Sequence, residues 1–260
     1  MTWIFLSPHL DDAVLSCGGM IYDLIQNGSP VQIWTIFAGD PPPGGLSPFA
    51  QLHHERWQTG QEAAAARRAE DQRACARLGA VPRYWVEPDC IYRRLPDGSW
   101  LIHNRDDLFS PVHPFEAPLV ARLADWLARH LTEYRADNLP PGGESQLVAP
   151  LTLGGHVDHR VVRAAAESLQ RPLFYYADYP YAVIDQTNLA DCIQPEWEEA
   201  SLPVSEAGLA AWQAAVAAYT SQISTFWANE EAMKADLRQY WAKGGGSRLW
   251  RSAGGEKKKG

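Results

Sequence analysis

The sequence carries no surplus of positive charge: 23 lysines and arginines face 31 aspartates and glutamates, a formal charge of -8. A phosphate backbone is compensated by a basic surface, so nucleic acid is excluded as the expected partner and a small neutral or polar molecule is favoured. Cysteine is scarce too. Cys17, Cys75, Cys90 and Cys192 lie far apart with no C-x-x-C pair, which excludes a disulfide framework and a cysteine zinc site and leaves buried free thiols. No apolar run approaches the roughly 18 residues of a membrane span, and Met1-Thr-Trp-Ile-Phe-Leu6 lacks the basic n-region and the longer apolar run of a signal peptide. The expected compartment is the cytoplasm. Internal repeats are lacking. So is any nucleotide-binding glycine motif: no G-x-x-x-x-G-K-[ST] occurs, and Cys17-Gly18-Gly19 falls inside a helical segment instead of opening one.

What is present suits one α/β domain. The chain has 260 residues, 46% apolar and 11% aromatic, enough for a single large core. Strand-like and helix-like segments alternate: Trp3–Leu6, helix Ala13–Asn27, strand Val31–Phe37, then a Pro/Gly-rich loop from Ala38 to Pro48. Within the first helix Val14, Cys17, Ile21, Leu24 and Ile25 recur at threes and fours, so one face should lie against a sheet. A helix over Gln61–Leu78 ends at Gly79, followed by strand Arg83–Val86, an irregular stretch over 88–115 and helix Glu116–Tyr134. A turn over Asn138–Glu144 precedes strand Gln146–Ala149, helix His159–Gln170 and strand Leu173–Ala177. Glu206–Lys243 reads as helical throughout, and Gly244–Gly260 as a frayed basic tail, giving a domain over 1–243 and a flexible tail over 244–260. This order implies parallel β/α units, with a mostly parallel central sheet flanked by helices.

Two clusters carry chemistry, each where a strand gives way to a helix, the end of a parallel sheet at which ligands bind. In Ser7-Pro8-His9-Leu10-Asp11-Asp12 an imidazole and a carboxylate three positions apart can converge on one cation. One acid would ligate and the other act as base. The plainer alternative is that both aspartates cap the helix. In Gly154-Gly155-His156-Val157-Asp158-His159 two histidines and an acid fall within four residues, which packing explains poorly, although polar residues do favour helix starts. Two histidines and one aspartate with an open position describe a catalytic metal site. Metal-bound water has a pKa of roughly 7, and Asp11 is placed to take its proton during attack on a carbonyl. His156, protonated, could serve the oxyanion or the leaving amine, with Asp158 orienting it and raising its pKa.

Pro8-His9-Leu10-Asp11-Asp12 with Leu15-Ser-Cys-Gly-Gly19, and Gly155-His-Val-Asp-His159 downstream, resemble the PIG-L (LmbE-like) zinc deacetylase family. The resemblance continues through Arg67-Arg-Ala-Glu70, Ala74–Gly79, Asp89-Cys-Ile-Tyr-Arg93 and Tyr176-Ala-Asp-Tyr-Pro180, and Tyr219-Thr-Ser-Gln222 is similar to a family feature. It implies a three-layer Rossmann-like α/β fold, zinc held by His9, Asp12 and His159, Asp11 as general base, and His156 at the oxyanion or leaving group. It further implies an N-acetylglucosamine-type substrate contacted by Arg67 and Asp89, and it suggests symmetric homo-oligomers. A His/His/Asp set also accepts iron(II), cobalt or manganese. For Arg67 a solvated helix face, and for Asp89 a turn, are the plain alternatives. Asp178, among Tyr175, Tyr176, Tyr179 and Tyr181, reads as core packing. One departure stands out: some family members carry a tyrosine two residues before the histidine equivalent to His156, where this chain has Gly154. Any tyrosine at the oxyanion must come from elsewhere.

Two rival readings are a metal-dependent amidase acting on a non-sugar acyl amide and a sugar-binding module without catalysis. The second would have no need for Asp11, Asp12, His156 and His159 together.

Overall fold

A first strand with every side chain buried, β1 (Thr2–Ser7), runs through the middle of a seven-stranded sheet in a computed structural model that describes residues 1–57, 62–138, 144–184 and 189–252. Around it lie β2 (Val31–Thr35), β3 (Val81–Tyr84), β4 (Ser145–Pro150), β5 (Phe174–Tyr176), β6 (Glu198–Ser201) and β7 (Arg248–Arg251), in the order β3-β2-β1-β4-β5-β7-β6. The five strands from β3 to β5 are parallel, while β7 pairs antiparallel with both β5 and β6. Buried runs such as Trp-Ile-Phe-Leu suit central strands covered on both faces. Pro82 can lie in β3 because that strand is an edge and its missing N–H breaks no second ladder.

Helices cover both faces. On one side α1 (Asp12–Gln26), α3 (Ala63–Leu78), α8 (Glu206–Val216) and α10 (Glu230–Ala242) enclose a core that includes Phe5, Met20, Cys75, Trp212 and Leu237. On the other, α4 (Ala117–Asn138) and α5 (Val157–Glu167) bury Leu123, Leu127, Val161 and Val162 against Leu6, Trp34 and Leu147. These are the three layers expected of a Rossmann-like domain. The remaining helices, α2 (Pro48–Trp57), α6 (Tyr181–Ile184), α7 (Leu189–Cys192) and α9 (Thr220–Phe226), are short.

The sequence expectations hold through β5, with α2 unforeseen. The Ser47 hydroxyl accepts from the Ala50 N–H at 2.9 Å and Pro48 opens the helix, a start signal hidden among the prolines of the preceding loop. Past β5 the structure corrects two expectations. The single helical stretch over 206–243 is three helices, because Tyr219 and Asn229 each begin a new one and Asn229 caps Ala232. The tail is not frayed from Gly244 onward: Leu249 and Trp250 are buried and the segment is a strand, while 253–260 lie outside the described residues. The turn expected over 138–144 falls mostly on 139–143, also outside them. Among the described residues no helix is long and apolar enough to cross a membrane.

Successive strands are added on one side of β1 as far as β3 and on the other from β4, so the crevice at the carboxyl ends of β1 and β4 is the topological switch point. Both sequence clusters follow those two strands.

Candidate active site

The loop after β1 is tied into a tight turn. The Ser7 hydroxyl donates to His9 O at 2.6 Å and accepts from Ala13 N at 3.0 Å, and Asp11 N donates to His9 O at 3.0 Å. Asp11 pivots the turn with φ 152° and ψ −32°, a backbone state that L side chains rarely adopt. The result turns His9, Asp11 and Asp12 into the crevice together.

Asp12 Oδ2 lies 3.2 Å from His9 Nδ1 and 3.3 Å from His159 Nε2. A tetrahedral cation with bonds of about 2.0–2.1 Å holds its ligands about 3.3 Å apart, so the Asp12 oxygen stands at ligand spacing from each imidazole nitrogen, and the donor chemistry suits zinc. The outward nitrogens are held as well. His9 Nε2 lies 3.0 Å from Asp158 Oδ2, and His159 Nδ1 lies 2.6 Å from Asp178 Oδ1. Each carboxylate fixes the ring proton on the outer nitrogen and leaves the inner one free to ligate. Burial opposes protonation of these rings. The surrounding carboxylates outweigh it, raising His9 well above the ordinary range through Asp89, Asp12 and Asp158, and His159 to about 9 through Asp12 and Asp178. The site is built to hold positive charge.

Asp11 stays outside this trio. Burial and the neighbouring Asp12 push its carboxyl up to about 8, against the pull of Arg67 and His9; a divalent cation beside it would strengthen that pull. Arg67, itself buried, lies 3.5 Å from Asp11 Oδ2, reaches Leu10 O at 3.4 Å and stacks over Trp57 at 4.6 Å. It is therefore no solvated helix face. Asp89 accepts from Ile91 N at 3.1 Å and presents its other oxygen 3.7 Å from His9 Nε2. Both line the cleft.

His156 caps α5, its Nδ1 accepting from Asp158 N at 3.2 Å. That bond places the ring proton on Nε2. Burial, together with the positive charge on His9 and His159, pulls its pKa down to about 3, so it is a neutral imidazole. Here the structure departs in part from expectation: the Asp158 carboxylate does raise the pKa of His156, but burial and the other two histidines outweigh it, and the side chain makes no hydrogen bond to that ring. Its carboxylate turns the other way, to His9 Nε2, to Cys90 N at 3.0 Å and to Arg93, and the arginine holds it well below the usual carboxylate range despite burial.

Around these groups the structure assembles residues beyond the predicted ligands, base and substrate contacts. Asp178 is no mere packing residue: besides His159 it accepts from Leu153 N at 3.0 Å. Its signal was positional, two residues past the end of β5 at the same sheet edge. Gly154, with φ 75°, leaves the notch that Tyr181 fills; a Cβ at 154 would lie 2.5 Å from Tyr181 Cδ1. The Tyr181 ring lines the cleft 6.0 Å from that of His159. Tyr219 donates to Asp71 at 2.6 Å, Thr220 and Ser221 bind Glu70, and this places buried Gln222 on the cleft wall. The cleft encloses about 780 Å³, with apolar walls from Phe49, Trp57, Leu108, Phe109, Tyr181 and Phe226.

A family model described as PIG-L, GlcNAc-PI de-N-acetylase, matches residues 4–169. A 2'-N-acetylparomamine deacetylase of Niallia circulans is 24% identical, over 96% of this chain and 93% of its own. The zinc-inhibited form of the teicoplanin deacetylase Orf2 superposes with a TM-score of 0.79 at 28% identity, over 99% of this chain and 100% of that one. The A40926 pseudoaglycone deacetylase Dbv21 gives 0.68 at 26%, over 96% and 95%.

Proposed function

The chain belongs to the PIG-L family of GlcNAc-PI de-N-acetylases, and from that premise we propose that it is a zinc-dependent N-deacetylase that hydrolyses the acetamide of an N-acetylglucosamine-type glycoconjugate. The observation that carries the reading is Asp12 Oδ2 at ligand spacing from both His9 Nδ1 and His159 Nε2, beside a second carboxylate, Asp11, that pairs with Arg67 instead. Relatives named as deacetylases of acetylated aminosugars and of glycopeptide antibiotics support the reaction class.

When bound by these three residues, zinc supplies polarisation of the substrate carbonyl and a water whose pKa is lowered to roughly 7. Asp11 takes a proton from the attacking water as the new C–O bond forms at the acetamide carbon. His156, neutral with its proton on Nε2, donates to the oxygen that gains charge. Of the two roles open to His156, oxyanion donor therefore fits better than proton donor. The C–N bond then breaks and the amine takes the proton held by Asp11, giving acetate and a free aminosugar. Arg67 holds Asp11 in place and favours its ionised form. Tyr181, whose ring packs beside Gly154 and lines the cleft, is a tyrosine available to the sugar or the oxyanion.

The cleft exceeds what one monosaccharide fills, and its aromatic walls suit a sugar attached to an apolar aglycone. The test is acetate release by the zinc-loaded enzyme from N-acetylglucosaminides with and without an aromatic aglycone, beside N-acyl amino acids. Turnover of the glycosides alone supports the reading; turnover of the acyl amino acids alone would transfer the protein to the amidase class.

A further inference from the structure

Behind the zinc ligands the carboxylate chain continues inward. His9 Nε2 meets Asp158 Oδ2, Asp158 Oδ1 meets the Arg93 Nη2, and Arg93 Nε lies 2.9 Å from Glu116 Oε1 as an ion pair without hydrogen-bond geometry. Asp158 is fully buried and the Arg93 and Glu116 side chains are only 10% and 3% exposed, so the four groups form one ladder shielded from water. The Arg93 guanidinium also stacks over Phe37 at 4.8 Å, and that ring lies 6.0 Å from the His9 imidazole. Arg93 thus reaches His9 by two routes, through the carboxylate on its outer nitrogen and through the ring on its flank.

On the reading that His9 is a zinc ligand, we infer that Arg93 and Glu116 are positioning residues. Together they hold the Asp158 carboxylate at the one angle that keeps His9 Nδ1 aimed at the metal. Cys90 N and His9 both meet Asp158 at Oδ2, so Arg93 is the partner that fixes Oδ1. Left with only Cys90 N and His9, the carboxylate could rotate, and the imidazole would rotate with it. The planar guanidinium meets Asp158 and Glu116 through two different nitrogens held in one plane, a fixed geometry that a single ammonium nitrogen lacks. Glu116 lies against the Nε of the same guanidinium whose Nη2 meets Asp158, so a second carboxyl helps to fix the plane of the arginine.

Zinc affinity separates orientation from mere support. The zinc Kd would be measured by chelator competition for the whole protein, as wild type, Arg93→Lys and the double variant Arg93→Met/Glu116→Met, with melting of the metal-free protein as the folding check. The lysine variant keeps the charge and loses the fixed fork; the double variant removes both charges and leaves Asp158 held through Oδ2 alone, by Cys90 N and His9. We expect Kd to rise about 10–100-fold in each, the usual effect of losing an outer partner of a metal-bound histidine, with kcat recovering in part at saturating zinc. An unchanged Kd in folded variants overturns the proposal. Should the double variant not fold, Arg93→Lys decides alone. A wild type that binds no zinc would instead sink the reading of the site itself, and a zinc-binding wild type that releases no acetate would sink only the substrate.

Discussion

Asp178 Oδ1 and His159 Nδ1 meet at 2.6 Å although 19 positions separate them in the chain. The aspartate follows β5 and the histidine lies in the first turn of α5, after β4, so it is the parallel pairing of those strands that brings them together. Asp178 uses both oxygens, one for His159 and one for Leu153 N. An asparagine offers only one acceptor. Asp178→Asn should therefore weaken zinc binding by about 10-fold or more, read as Kd by chelator competition.

Removing a ligand is harsher. His9→Ala and His159→Ala should each reduce the zinc content found by elemental analysis from about one equivalent to near none, because two protein ligands rarely retain the ion. Full zinc content in either folded variant would mean that the ion sits elsewhere.

Asp11→Asn separates the base from the ligands. The amide keeps the shape but cannot take a proton, so kcat should fall about 10²–10⁴-fold while zinc content stays at the wild-type level. Loss of zinc in this variant would instead make Asp11 a ligand.

Arg67 opposes the upward shift of the Asp11 carboxyl. A base works only when ionised, so a higher pKa costs activity at a higher pH as the solution is acidified. Arg67→Met should move the acid limb of the kcat/KM profile to higher pH. A limb that stays in place with only KM raised would make Arg67 a substrate contact alone.

Burial pushes the Glu116 carboxyl up to about 7 against the pull of Arg93. Its pKa in the folded state thus exceeds the unfolded value, so folding takes up a proton and stability falls as pH rises through that interval. Glu116→Gln has no such titration. Compared at pH 5 and pH 8, the stability of wild type relative to the variant should drop by about 2 kcal/mol on the alkaline side. Denaturant unfolding at the two pH values measures it; parallel curves would count against the shift.

The site was legible in the sequence wherever its residues sit on a strand-to-helix junction. His9, Asp11, Asp12, His156 and His159 all do, and alternation of strands and helices was enough to bring the two junctions to one edge. What was not legible depended on partners chosen in three dimensions. Asp158 stands two residues from His156, yet its side chain goes to His9 and to Arg93 from another loop. Asp178 hid among tyrosines, and Glu116 looked like the start of a helix. β7 went unread because a glycine run precedes Arg248-Leu-Trp-Arg251, and only pairing on both sides, with β5 and β6, makes a strand of four residues.

The backbone of Asp11 adds an evolutionary consequence. A side chain held at φ 152° stores on the order of 1–3 kcal/mol that a glycine would release. Selection for heat resistance alone should therefore enrich Asp11→Gly, and the survivors should melt higher than the parent while releasing no acetate. At this position tolerance and turnover pull apart, so a library screened for thermal survival needs activity as a second filter.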